Sequence, residues 1–91
     1  MSREIYLSER FRATVREYPK PVRIEVARAI DLLQSSLGYP HRHSGLGIRK
    51  LVKNYFEMRV DLDLRLVFKV ESDGIIFIFA GTHDEVRQFL K

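Results

Sequence analysis

The spacing of hydrophobic residues changes character partway along this 91-residue chain. Near the start, Glu4 to Leu7 (EIYL) reads as a short strand, and Ser8 stands where a helix wants an N-cap, its hydroxyl available to an unpaired backbone amide. Phe11, Val15 and Tyr18 then recur at i, i+4 and i+7, one face of a helix. Pro19 and Pro21 end that pattern, because proline lacks an amide hydrogen and clashes with the preceding turn. A second helix therefore begins near Lys20, with proline in its tolerated first turn. Its stripe is Val22, Val26, Ala29, Ile30, Leu33 and Leu37, with Gly38 as the stop. Together these segments predict a helical hairpin.

The stretch GYPHRHSGLG (38–47) has glycines, a proline and a serine but no periodicity, and reads as a loop. From Ile48 onward the period is two. Phe56, Met58 and Val60 face one way, while Tyr55, Glu57, Arg59 and Asp61 face the other. After a turn at Asp61-Leu62-Asp63, Leu64, Leu66, Phe68 and Val70 alternate with Arg65, Val67, Lys69 and Glu71, which predicts a hairpin. Ser72-Asp73-Gly74 is a turn signal, and Ile75 to Phe79, apolar throughout, reads as a strand covered on both faces. Val86, Phe89 and Leu90 suit a short last helix.

This order predicts an α+β fold: an N-terminal strand and two-helix hairpin packed on an antiparallel sheet of about four strands, with a short C-terminal helix. Residues 1–91 form a single domain, since the chain has no room for a second and shows neither repeat nor linker.

Composition narrows the class. With 45% hydrophobic and 31% charged residues the chain reads as a soluble globular protein and not a disordered one. Its apolar runs are far below the ~20 residues that span a membrane, and MSREIYLSER lacks a signal peptide's apolar stretch, so the expected location is cytoplasmic, without a membrane partner. The absence of cysteine excludes disulfides and thiolate zinc sites. A net charge of +4 and a pI near 9.7 suit a polyanionic partner, although many small proteins are basic without one.

The placement of the charges is more telling. If Phe56, Met58, Val60, Leu64, Leu66 and Phe68 face the helices, then Glu57, Arg59, Arg65 and Lys69 share the opposite face. Cross-strand neighbours in a hairpin sit about 5 Å apart, so Arg59 and Arg65, near the same turn, come close together. One reading is a solvated face neutralised by Glu57, Asp61 and Asp63. The other is a phosphate clamp, since guanidinium offers a planar donor fork that matches phosphate oxygens. Arg49, Lys50 and Lys53 either extend that basic surface or charge an edge strand against aggregation.

His41 and His43 flank Arg42 in the loop, but no acid or cysteine stands close by in sequence, so we expect no metal site and no cofactor. His41 reads as a solvated loop residue, and His43 as a neighbour of the polar face. Thr82-His83-Asp84-Glu85 fits the capping box T-x-x-E, and its acids suit the positive helix end. The cap has no use for His83. A histidine titrates near neutrality and serves general acid or base chemistry, which makes His83 a candidate for proton transfer.

From HSGLGIRKL through YFEMRVDLDLRLVFKV to the late GTH, the chain resembles the RelE/ParE superfamily of toxins from type II toxin–antitoxin modules. The resemblance spans nearly the whole chain, and it implies a ribosome-dependent, metal-independent endoribonuclease, an mRNA interferase that inhibits translation. In that chemistry a base takes the proton from a ribose 2′-OH, the oxygen attacks the adjacent phosphorus in line, basic groups stabilise the developing charge, and an acid protonates the 5′ leaving oxygen. The resemblance assigns Arg65 to the scissile phosphate, His83 to proton transfer, Arg59 to the facing strand and Asp63 to an acid at the turn. Lys50, with Arg49 and Lys53, would hold RNA, and His43 corresponds to a loop histidine of one subgroup. Implied partners are a cognate antitoxin, in a toxin–antitoxin hetero-oligomer, and mRNA on the ribosome. The alternatives within the same fold are a ParE-like inhibitor of DNA gyrase, which needs no His83, and a non-toxic relative acting as a binding module.

Overall fold

The structure is a computed structural model, and it describes residues 4–36 and 47–91. In chain order the elements are β1 (Glu4–Leu7), α1 (Glu9–Arg16), α2 (Lys20–Ser36), β2 (Ile48–Val52), β3 (Tyr55–Arg59), β4 (Arg65–Glu71), β5 (Gly74–Gly81) and α3 (His83–Phe89). The α+β architecture is the one the hydrophobic pattern predicts. The caps are also where expected: the Phe11 amide donates to Ser8 Oγ at 3.1 Å, and α2 begins between the two prolines. Leu37, Gly38, His41 and His43 lie outside the described residues.

One sheet holds all five strands in the order β1-β5-β4-β3-β2. The sequence pattern predicts antiparallel hairpins, and β2-β3, β3-β4 and β4-β5 are antiparallel. The N-terminal strand is predicted too, but its place in the sheet is not. β1 pairs with β5 in parallel, Glu4 opposite Gly74 through Leu7 opposite Phe77. A parallel partner needs a crossover, here the helical hairpin and three strands, and no local signal announces it. Gly74 permits the approach, because a Cβ there would sit 2.7 Å from the Glu4 carbonyl oxygen.

The helical hairpin covers one face of this sheet. Phe11, Val26 and Leu33 from α1 and α2 meet Met58, Leu66, Phe68, Ile75 and Phe77 in a single core. Phe77 packs between Phe11 and Phe68, each ring pair at 5.4 Å. A fully buried Phe or Leu contributes about 1.5–3 kcal/mol, so this face dominates the stability.

Two bulges set which side chains face which way. In β5 Phe77 pairs with Phe68 and Phe79 with Val67, leaving Ile78 as the extra residue. Phe77 and Ala80 thus both reach the core, while Phe79 turns to the other face and stacks on Phe89 of α3 at 4.5 Å. α3 is thereby folded back over the second face, next to Arg65 and Val67. The Arg10 guanidinium of α1 stands 5.0 Å from the Phe79 ring and 5.4 Å from the Phe89 ring, tying α1 to α3. In β2 Lys50 pairs with Phe56 and Val52 with Tyr55, leaving Leu51 as the extra residue.

A candidate phosphate-binding site on the second face

The three central residues of the site come from adjoining strands. Arg59 ends β3, Arg65 opens β4, and the register places them directly opposite one another. Glu57, two residues before Arg59, pairs with Val67 on one side and Arg49 on the other. The predicted polar face therefore exists, with Arg49, Glu57, Arg59 and Arg65 on it together.

Its electrostatics centre on Glu57. Among the described residues it is the buried charged one, 1% exposed. Its Oε2 accepts from Arg49 Nη2 at 3.3 Å and from Arg65 Nη1 at 3.4 Å. These are long for charge-assisted bonds, which run about 2.7–2.9 Å. The arginines differ in access: the Arg65 side chain is 20% exposed and that of Arg49 62%. Arg59 is exposed and has no ion-pair partner among the described residues. Lys69, at the far end of the same face, binds Glu71 at 2.9 Å; that bond raises its pKa and commits it to a neighbour.

The site is incompletely satisfied. Among the described residues three side-chain atoms are enclosed without a hydrogen-bond partner, and they are Glu57 Oε1, Arg65 Nε and His83 Nδ1. An enclosed polar group without a partner costs about 1–3 kcal/mol, and folded proteins keep few of them. All three belong to residues of this face or of the helix that folds over it.

His83 is the first residue of α3, two positions after Gly81, which pairs with Arg65. The capping box forms as predicted: the Glu85 amide donates to Thr82 Oγ1 at 3.2 Å, and the Thr82 amide donates to Glu85 Oε1 at 2.8 Å. Gly81 is part of this turn, since a Cβ there would lie 2.9 Å from Glu85 Oε1 and 3.1 Å from the Phe79 ring. The half-buried imidazole is held by its backbone, with Nδ1 uncommitted.

Asp63 sits at the β3–β4 turn. Asp61 builds that turn, its Oδ1 accepting from the amides of Asp63 at 2.9 Å and Leu64 at 2.8 Å. The exposed Asp63 carboxylate lines a depression of about 280 Å³ with Tyr18, Thr82 and Glu85, which brings it to the start of α3. Tyr18 in that depression has a raised pKa, first from burial and then from the Glu85 charge.

The basic extension divides. Arg49 joins the site through Glu57. Lys50 does not: opposite Phe56, it lies on the face of the sheet that carries the core, where the alternation from Arg49 sends it. Lys53 occupies the β2–β3 turn with a φ of 52°, at the tip of the hairpin. What the sequence pattern missed is the enclosure of Glu57. Its position beside two arginines was legible, but burial depends on what packs across the face, and alternation does not carry that.

The chain has the fold of a group of toxins. A chain of the RelB–RelE antitoxin–toxin complex from Methanococcus jannaschii superposes with a TM-score of 0.72 at 19% identity, over 94% of this chain and 99% of that one. A chain of the DinJ–YafQ toxin–antitoxin complex from E. coli gives 0.72 at 22%, over 94% and 98%. The YoeB dimer from Staphylococcus aureus gives 0.68 at 20%, over 91% and 99%. No protein-family model and no curated protein matches the chain. The resemblance carried by the sequence motifs is thus borne out as a likeness of fold.

Proposed function

We propose that this protein is the toxin of a type II toxin–antitoxin module and that it cleaves messenger RNA on the ribosome without a metal. The observation that carries the reading is the arginine pair Arg59 and Arg65 set directly opposite across two strands, beside a histidine whose Nδ1 is enclosed and unpaired. Like charges so placed destabilise a sheet, and an anion between them removes the penalty. The fold shared with RelE, YafQ and YoeB supports the same class; RelE and YafQ were crystallised in toxin–antitoxin complexes, and YoeB is also found in a complex with YefM. A cognate antitoxin is the corresponding partner here.

The chemistry follows from the groups present. Arg65 and Arg59 bind the scissile phosphate and stabilise the charge that builds as the 2′ oxygen attacks. In-line displacement puts the entering and leaving oxygens on opposite sides of phosphorus, so two groups must move protons. His83 gives its proton to the 5′ oxygen, and the Asp63 carboxylate takes the proton of the 2′-OH. The products are a 2′,3′-cyclic phosphate and a 5′-hydroxyl end. Only RNA carries the 2′-OH, which fixes the substrate class.

Expression of the parent chain, Arg65→Ala and His83→Gln tests this. The parent arrests growth and cuts messenger RNA in a ribosome-dependent assay, and each variant loses both effects. Variants as toxic as the parent overturn the mechanism, and growth arrest with intact messenger RNA and a DNA-damage response reassigns the target to gyrase.

A further inference from the structure

Glu57 is hard to explain as a stabilising residue. A buried ion pair is commonly no more stable than a hydrophobic residue of the same volume, because both charges must leave water. This one is poorly made: both guanidinium groups share Oε2 at 3.3 and 3.4 Å, and Oε1 is enclosed with no partner. A carboxylate kept for stability alone would use both oxygens. Nor is it placed to act on substrate directly, since the side chain is 1% exposed and its free oxygen does not reach the surface.

Its position is informative. On one face of the sheet Glu57 stands between Arg49 of β2 and Val67 of β4, two residues from Arg59 and bonded diagonally to Arg65. Among the described residues it is the carboxylate that pairs with two of the three guanidinium groups gathered on these adjacent strands. Without it these groups repel, and a long side chain with several rotatable bonds swings toward solvent.

We infer that Glu57 is the positioning residue of the site, holding Arg65 by Nη1 and Arg49 by Nη2 so that their remaining donors face the phosphate, at the expense of weaker binding of the RNA itself. This deepens the nuclease reading and rests on it. The carboxylate opposes every phosphate that approaches, so it lowers ground-state affinity while it orders the groups that act in the transition state.

The two consequences separate in Glu57→Gln, made in the full chain. The Michaelis constant for a single-stranded RNA substrate on the ribosome falls about threefold, because one repelling charge is gone. The turnover rate at saturating substrate falls about tenfold, because Arg65 is no longer held in place. Glu57→Met, of similar volume, leaves Arg65 and Arg49 without their carboxylate and melts lower than the parent, yet at a temperature where circular dichroism shows both fully folded it gives the same split, so a loss of folded protein is not the cause. Turnover unchanged in both variants, or a Michaelis constant that rises with the fall in turnover, overturns the positioning role.

A second measurement does not depend on cleavage. Side-chain ¹⁵N spectra of the parent show a slowly exchanging Arg65 Nε–H, and in Glu57→Gln that signal exchanges faster and broadens. A parent that binds a 2′-deoxy analogue of the substrate but never cuts the RNA overturns the nuclease reading alone. In that case an Arg65 signal unchanged by Glu57→Gln overturns the role of Glu57, and a faster one upholds it.

Discussion

Arg59 and Arg65 face each other across the β3–β4 pair, yet among the described residues Arg65 alone of the two is bonded to a carboxylate. This asymmetry makes their contributions to stability opposite in sign. Arg59→Ala relieves a like-charge contact and raises the unfolding free energy by about 0.5 kcal/mol. Arg65→Ala leaves Glu57 with Arg49 as its remaining partner and lowers it by about 1–2 kcal/mol, less than the cost of breaking a deeply buried pair because Arg65 is partly hydrated. Urea titrations of both variants decide the point, and each variant still loses RNA cleavage.

Arg49 and Lys50 are neighbours in sequence on opposite faces of the sheet. Arg49→Ala weakens RNA binding and reduces the salt dependence of the affinity by about one phosphate contact. Lys50→Ala leaves both unchanged. Binding of a short single-stranded RNA, measured across a range of salt concentrations, reads the difference directly.

The turn that presents His83 is held by Thr82 and Gly81. Thr82→Ala removes the cap and costs about 1 kcal/mol. Gly81→Ala pushes a methyl group against Glu85 and the Phe79 ring and lowers cleavage further, because the first turn of α3 must shift. Thermal melts and cleavage assays together distinguish the two: the first variant loses more stability than activity, the second more activity than stability.

Tyr18 supplies a pH prediction. Its folded pKa is raised above 10.0 by burial and by Glu85, so above pH 10 the unfolded chain loses this proton first. Stability has its full value below pH 10 and falls as pH rises through the raised folded value. Tyr18→Phe flattens that decline in melts followed between pH 9 and 11. Absorbance titration of the parent shows one tyrosinate forming later in Glu85-containing protein than in Glu85→Gln.

Much of this was legible in the sequence because the signals are local. Ser8, the Pro19–Pro21 break and the Thr82–Glu85 box are each decided within a few residues, and each forms as read. The Arg59–Arg65 contact was also legible, since a short turn fixes hairpin register. The rest depends on register across distance. Ile78 is the bulge residue of a run that is apolar at every position, and Leu51 that of a run in which two charged residues, Arg49 and Lys50, are followed by two apolar ones, Leu51 and Val52, so alternation could not show where the ladder skips. The bulge at Ile78 turns Phe79 toward α3. The side of Lys50 and the enclosure of Glu57 follow from tertiary packing, which hydrophobic spacing reports only in part.

The parallel pairing of β1 with β5 bears on how the protein reaches its native state. Glu4–Leu7 meets Gly74–Phe77, so the two paired segments are separated by most of the chain. Such a closure is slow and late in folding compared with hairpins and helices, which form from neighbours. The strand that closes it, β5, also runs into Gly81 and the turn that carries His83. That turn meets Arg65 through the local β4–β5 hairpin, as Arg59 does through β3–β4, so the strands of the site pair before β1 closes the sheet, and a chain halted short of closure already holds its arginines together.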